Sequence, residues 1–224
     1  MRVYYMTSYE TATQYILPEH RMRLSRFDKL NDPFELHSVR VEGKRGRAEL
    51  KDIIKDWHNQ IGIICTGRHW KSPVMWAHYA NSHSGVCLGF DVPDKVAHQV
   101  VYAPERPILK LNPKLPLNGI TEDILKTMLM TKYAQWSYEE EWRLSYKLTD
   151  PDPVNGCYYI PFGEHLTLRE IIIGARCKHS AIDFDKPLGS VDQSITIIKA
   201  RPAFESFTMV QQLKVTPVII KTRK

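Results

Sequence analysis

The residues best suited to chemistry stand together in Tyr138-Glu139-Glu140-Glu141-Trp142-Arg143. Read as the head of a strand over Glu139–Leu148, this segment alternates. Glu139, Glu141, Arg143, Ser145 and Lys147 share one face, and Trp142, Leu144, Tyr146 and Leu148 share the other. Two carboxylates about 7 Å apart on one strand face, beside a guanidinium, suit acid–base work or a grip on ribose hydroxyls. Trp136, Tyr138 and Trp142 flank them and suggest a walled pocket. The opposing reading is a half-solvated strand whose charges face water.

Two further segments carry complementary groups. On a helix, Met75-Trp76-Ala77-His78-Tyr79-Ala80 places Trp76 with Tyr79 and Met75 with His78. That arrangement is either a buried aromatic face or a stacking surface with a titratable His78. Asn31-Asp32-Pro33-Phe34-Glu35 is a turn, because Asn and Asp bond to nearby backbone and Pro33 fixes φ. It either caps itself over a buried Phe34 or aims Asp32 or Glu35 into the cleft that holds Glu141. His69, His78 and His83 lack a standard zinc spacing.

These segments need a framework. Val3–Met6 is β-prone, Ser8 or Thr7 caps a short helix through Ile16 that Pro18 ends, and Met22–Ser25 resumes as a strand. Residues 48–60 form a helix with Leu50, Ile53, Ile54 and Trp57 at helical spacing, preceded by a solvated loop at Lys44–Arg47. Ile61–Cys65 is a buried strand, and Pro73 opens a helix to about Asn81. Gly85–Asp91 is a strand whose small face, Gly85, Cys87 and Gly89, admits a close approach. Prolines make Pro104–Pro116 an extended crossing. Thr121–Trp136 is the longest helix, its first turn carrying Glu122 and Asp123, with a core stripe of Ile124, Leu125, Met128 and Leu129. Strands at Cys157–Ile160, Glu170–Ile173 and Ser194–Lys199 follow, with a last one in Gln212–Ile220; residues 180–192 receive no assignment. Mainly antiparallel strands with helices packed alongside define an α+β fold, expected as a single domain over residues 1–224.

Composition narrows the class. Hydrophobic content of 43% with 25% charged residues is that of a globular chain. No run of 18 apolar residues occurs, and the start, MRVYYMTSYETA, has no apolar signal core. The expectation is a cytoplasmic protein without a membrane span. Cys65, Cys87, Cys157 and Cys177 are widely separated, which favours buried thiols over a disulfide frame. A net charge of +6 and a pI near 9.1 favour a phosphate-bearing partner, a nucleotide or a nucleic acid.

The motifs N-D-P-F-E (Asn31–Glu35), M-W-x-H-Y-A (Met75–Ala80), G-x-C-L-G-F (Gly85–Phe90) and K-x-x-x-W-x-Y-E-x-E-W-R (Lys132–Arg143) occur in that order. They resemble bacterial domain-of-unknown-function family 2971 over about residues 4 to 175. More distantly, the chain resembles ADP-ribosyltransferases. Their α+β domain opens strand–helix–strand, as residues 3–26 do, and some members carry the catalytic Glu as E-x-E, matched by Glu139 and Glu141.

That second resemblance implies NAD as substrate. Glu141 would hold the nicotinamide-ribose hydroxyl while the glycosidic bond breaks through an oxocarbenium-like state. Glu139 would orient the acceptor, beside Arg143. Trp76 or Tyr79 would stack on nicotinamide, and Tyr5, Arg23 and Arg26 would line the dinucleotide side with Asn31, Asp32 and His78. The pattern departs from the larger families at Tyr4-Tyr5, where they show His or Arg, and at Asn81–Ser84, where they show S-T-S. By analogy it extends to a toxin or phage-defence effector acting on nucleic acid or protein, with an antitoxin or defence partner. Two other classes stay open. One is a metal-dependent nuclease, with Asp32, Glu35, Glu139 and Glu141 on Mg²⁺ and Lys132 on a phosphate. The other is a nucleic-acid- or partner-binding module without catalysis.

Overall fold

A computed structural model describes residues 1–35, 37–109, 122–190 and 193–221. In chain order the strands are β1 (Arg2–Thr7), β2 (Arg21–Leu24), β3 (Ile61–Gly67), β4 (Val86–Asp91), β5 (Ala97–Gln99), β6 (Val101–Ala103), β7 (Thr131–Tyr133), β8 (Glu141–Lys147), β9 (Tyr158–Pro161), β10 (Thr167–Ile173), β11 (Ile195–Pro202), β12 (Met209–Gln211) and β13 (Val218–Ile220). The helices are α1 (Tyr9–Thr11), α2 (Leu17–Glu19), α3 (Gly43–His58), α4 (Pro73–Tyr79), α5 (Glu122–Met130) and α6 (Asp185–Leu188). The fold is α+β. Among the described residues, no helix is long and apolar enough to cross a membrane. The chain divides into two compact units, one of Met1–Met22, Cys65–Lys95 and Ile160–Lys224, the other of Arg23–Ile64 and Val96–Tyr159.

In the first unit the strand order is β12-β11-β10-β4-β1, antiparallel except for the parallel pair β10–β11. A parallel pair needs a crossover, and here it holds the stretch left unassigned from sequence. A 3-10 turn at Ala181–Phe184 leads into α6, started by a reciprocal cap in which Ser180 Oγ and the Asp183 carboxylate each satisfy the other's end. Residues 191 and 192 lie outside the described residues. The tail departs from the single strand expected over Gln212–Ile220. It turns at Gln212–Val215, and β12 and β13 pair with successive stretches of β11, Ala200–Pro202 and Ile195–Ile197.

Ser8 caps α1 by accepting from the Thr11 N–H at 2.9 Å. Pro18 does not end the helical run, contrary to the sequence expectation. A wide π turn, Ala12–Ile16, leads into α2 with Pro18 near its start, where the missing N–H costs little, and the run stops at left-handed His20. The core packs Trp76 and Ala80 against Met6, Cys87, Ile172, Ala200 and Met209. The small face of β4 is therefore filled from within: at Gly89 a Cβ would lie 3.0 Å from Glu170 Cβ and 3.2 Å from Tyr4 Cε1.

In the second unit β5 pairs antiparallel with β8, β6 runs parallel to β7, and Ser25 bridges to Ile63. Two sequence expectations fail here. Lys44–Arg47 is helical, not a loop, because α3 starts at Gly43 and Lys and Arg are good helix formers. The helix expected over Thr121–Trp136 stops at Met130, and Thr131–Tyr133 joins a ladder that suits a β-branched and an aromatic residue. The first-turn acids Glu122 and Asp123 lie outside what is described of side chains, as does Ile53. Val39, Val41, Leu50 and Met128 form a core cluster between α3 and α5, with Ile54, Trp57, Leu109 and Ile124 packed against it. Residues 104–109 form no helix and touch a ladder only through the Arg40–Ile108 bridge. The rest of the proline-rich crossing, 110–116, lies outside the described residues.

Candidate functional site

The site is built where three segments of the second unit meet. The strand expected from Glu139 begins only at Glu141. Glu139 ends a 3-10 segment, Ala134–Glu139, and Glu140 takes a left-handed conformation with φ of 42°. That conformation is uncommon for a residue with a side chain. Its consequence is geometric: Glu140 faces water while Glu139 and Glu141, on either side, are both buried. The half-solvated reading of this strand is overturned at its first residues.

Both glutamates converge on Lys132. Its Nζ donates to Glu139 Oε2 at 2.6 Å and to Glu141 Oε2 at 3.0 Å, and lies 3.6 Å from Glu35 Oε1. Arg143, fully buried, donates through Nε to Glu141 Oε1 at 2.8 Å, pairs with Glu35 Oε2 at 2.7 Å and donates to the Leu129 carbonyl at 2.6 Å. The Glu141 N–H donates to Tyr102 Oη at 2.8 Å. Lys132 also lies 4.9 Å from the centre of the Trp136 ring, a cation–π contact.

Three carboxylates and two cations thus share a buried network. Burial of such charges is tolerated only when each is paired and hydrogen-bonded. Burial pushes the Glu35 carboxyl above its ordinary range, against the pull of Arg143 and Lys132. Burial alone would lower the Lys132 ammonium, yet Glu141 and Glu139 hold it charged, well above the usual lysine range. The Tyr102 phenol is pushed up to about 12, chiefly by burial.

Asn31–Glu35 supplies the third segment. Asp32 Oδ1 accepts from the Phe34 N–H at 2.9 Å, and the Asp32 carbonyl accepts from the Glu35 N–H at 3.1 Å. This self-capped turn buries Asp32 and Glu35 and, against the expectation of a buried ring, leaves Phe34 54% exposed.

A cavity of about 470 Å³ opens on this network, within the ~300–1,000 Å³ usual for ligand sites. Glu35, Lys132 and Asp32 line it together with Phe34, Tyr133, Arg40 and Arg106. Glu139, Glu141 and Arg143 are not among its described lining; they bond to Glu35 and Lys132. Arg106 lies 5.9 Å from the Phe34 ring centre and donates to the Val39 carbonyl at 2.8 Å.

The structure therefore brings Glu139, Glu141 and Arg143 together around Lys132 and Glu35, and places Asp32 on the wall of the adjoining cavity. Arg23, exposed, Arg26, half-buried, and Asn31, exposed, belong to the same unit but are not among the described lining of the cavity. Tyr5, Trp76, His78 and Tyr79 belong to the first unit. There Trp76 has no exposed surface and its Nε1 donates to the Trp70 carbonyl at 2.6 Å, so it is a packing residue with no face for a ligand. His78 is exposed and Tyr79 half-buried. Sequence reading did not select Tyr133, Arg40, Arg106 or the exposure of Phe34. Tyr133 at least lies inside the K-x-x-x-W motif, whereas the two arginines carry no local signal. The nuclease arrangement is also altered, because the Lys132 ammonium fills the space between the glutamates. Among the described residues no group of three His, Cys, Asp or Glu side chains is set to hold a metal ion.

The molecule is thus an α+β protein with a buried ion-pair network at the wall of a ligand-sized cavity. Residues 75–144 match the model of the family described as Protein of unknown function (DUF2971), which bears out the family resemblance over that stretch. The match contains the Met75–Ala80, Gly85–Phe90 and Lys132–Arg143 motifs, while Asn31–Glu35 lies outside it. No curated protein matches the chain, and no solved structure matches it.

Proposed function

We propose that this chain is an enzyme acting on a nucleotide held beside Glu35 and Lys132, by glycosyl transfer of the ADP-ribosyl type with NAD as substrate. The observation that carries the reading is the wall of the cavity. It offers a buried carboxylate (Glu35) fixed by Arg143, with exposed rings (Phe34, Tyr133) and guanidinium groups (Arg40, Arg106) around it. Rings accept a planar base by stacking, guanidinium groups accept phosphates, and a fixed carboxylate in a water-poor wall stabilises a developing cation.

In that reaction the bond from ribose C1′ to the nicotinamide nitrogen breaks, and its electron pair leaves with neutral nicotinamide. The Glu35 carboxylate faces the positive charge at C1′, and the acceptor closes the new bond to C1′ as its proton departs. The role that the resemblance places on Glu141 falls to Glu35, because Glu35 lines the cavity and Glu141 is not among its described lining. An active enzyme of this kind consumes NAD, so its expression is expected to poison the host cell, as a toxin or defence effector would.

The test is nicotinamide release from NAD by the purified chain and by Glu35→Gln, with NAD binding followed by calorimetry. Release that falls at least about 100-fold in the variant supports the reading. Absence of both release and NAD binding overturns it. A second reading, a binding module without catalysis, draws on the closure of the network, since every glutamate in it is already ion-paired. Ligand binding unchanged in Glu35→Gln, with no turnover by either protein, would favour that module.

A further inference from the structure

The row of cations on α3 belongs to no part of the site described so far. Arg47, Lys51 and Lys55 follow one another at every fourth residue, so they form one stripe along the helix, spaced about 6 Å apart. All three are exposed. Like charges at this spacing repel and weaken a helix, and anions lying along the row relieve that repulsion.

A groove of about 1110 Å³ runs against the stripe. Its apolar floor includes Val39, Val41, Leu50 and Ile54, and its acids are Glu42 and Asp52. Arg40 and Arg106 line both this groove and the cavity beside Glu35, so one basic track continues from α3 to the cavity mouth. Phe34 and Tyr133, 54% and 47% exposed, are among the residues lining that cavity.

A basic track ending at exposed rings is the chemistry that holds a single nucleic-acid strand, with phosphates on the cations and a base stacked on an aromatic face. A duplex suits it less well, because a base must leave its stack to enter a walled cavity. We propose that the α3 groove binds single-stranded nucleic acid and leads one nucleotide to the cavity, which makes nucleic acid the acceptor. The acceptor assignment rests on the reading of the cavity above; the binding itself does not.

The test uses the full chain without NAD and a fluorescent single-stranded oligonucleotide of about a dozen nucleotides, read by anisotropy from roughly 50 to 200 mM salt. The strand is expected to bind with a steep salt dependence. Replacing Arg47, Lys51 and Lys55 together by Ala should weaken binding at least about tenfold and flatten the log–log salt slope by about 2, at about 0.7 for each cation lost. Circular dichroism checks the fold of the triple variant, and the exposed single change Lys51→Glu serves if the triple variant is unfolded.

No binding by the wild-type chain overturns the proposal, as does an unchanged slope in the folded variants. Displacement of the strand by poly-glutamate as effectively as by unlabelled strand also overturns it, since the track would then be a surface for acidic protein. Strand binding by a chain that releases no nicotinamide would sink the transferase reading and leave this one standing.

Discussion

Lys132 Nζ stands 2.6 Å from Glu139 Oε2, and both side chains are almost completely removed from water. An exposed pair at this distance contributes little to stability. In the interior each partner's charge becomes a liability as soon as the other is removed. The same ammonium reaches Glu141 and Glu35, so one lysine ties together the carboxylates of a site that three separated segments of the chain build.

Lys132→Met should therefore destabilise the protein by about 3–5 kcal/mol, the usual cost of stranding a buried charge. Urea unfolding measures it. Adding Glu139→Gln to the same chain should recover part of the loss, because one of the stranded carboxylates is then neutral. A loss under about 1 kcal/mol for the single change would mean that the network is open to solvent.

Stability against pH has two contributions of opposite sign. Arg2 holds Asp91 below its ordinary value of 3.8 through bonds of 2.8 and 3.2 Å, with Arg169 adding a third. This contribution is fully present above 3.8 and is lost as the pH falls through the lower folded value. Asp91→Asn should flatten the acid limb of unfolding and leave neutral pH less affected. Burial raises Glu35 above its ordinary 4.5. That contribution is present below 4.5 and is lost as the pH rises through the folded value. Glu35→Gln should remove the downward trend above 4.5. Unfolding midpoints measured across mildly acidic pH separate the two.

The two arginines shared by groove and cavity give a third expectation. Arg40→Ala and Arg106→Ala should each weaken nucleotide binding by roughly tenfold, the scale of one charge-assisted contact. Both residues are exposed, so the unfolding midpoint should shift little. Arg106 also bonds the Val39 carbonyl, so Arg40→Ala is the cleaner variant. Calorimetry with NAD and with ADP-ribose reports the change.

What could be read from the sequence followed local periodicity. Alternation marked β4, and Ser8 and Pro73 announced their helix starts by residue type. The pairing of Asn31–Glu35 with Glu139–Arg143 was within reach because each segment holds charges too concentrated for a plain surface. The inward turn of Glu139 was not, since it depends on left-handed Glu140 and on an ammonium seven residues upstream. Nor was the convergence of Arg40 and Arg106, which only the fold brings to one wall. Trp76 misled for a related reason. An aromatic on a helix reads alike whether it stacks on a ligand or fills a core, and here β1, β4, β10 and β12 close over it.

The sharpest discrimination lies between Glu35 and Glu141. If the carboxylate at the cavity wall meets the substrate, Glu35→Gln should lower kcat for nicotinamide release at least about 100-fold while KM changes little. Its amide keeps the volume and can still accept from Arg143. Glu141→Gln acts on a different link. Its side chain bonds Arg143 and Lys132 and is not among the described lining of the cavity, so its main effect should be on folding. Activity per folded molecule should then fall about tenfold or less, through the loosened positions of Lys132 and Glu35. The acid limb of the rate profile should lie above pH 4.5 in wild type, where burial sets Glu35, and should persist in Glu141→Gln. The reverse ranking, with Glu141→Gln inactive but well folded and Glu35→Gln nearly wild type, would return the chemistry to Glu141. It would require the cavity to reach behind the Lys132–Glu35 wall during turnover.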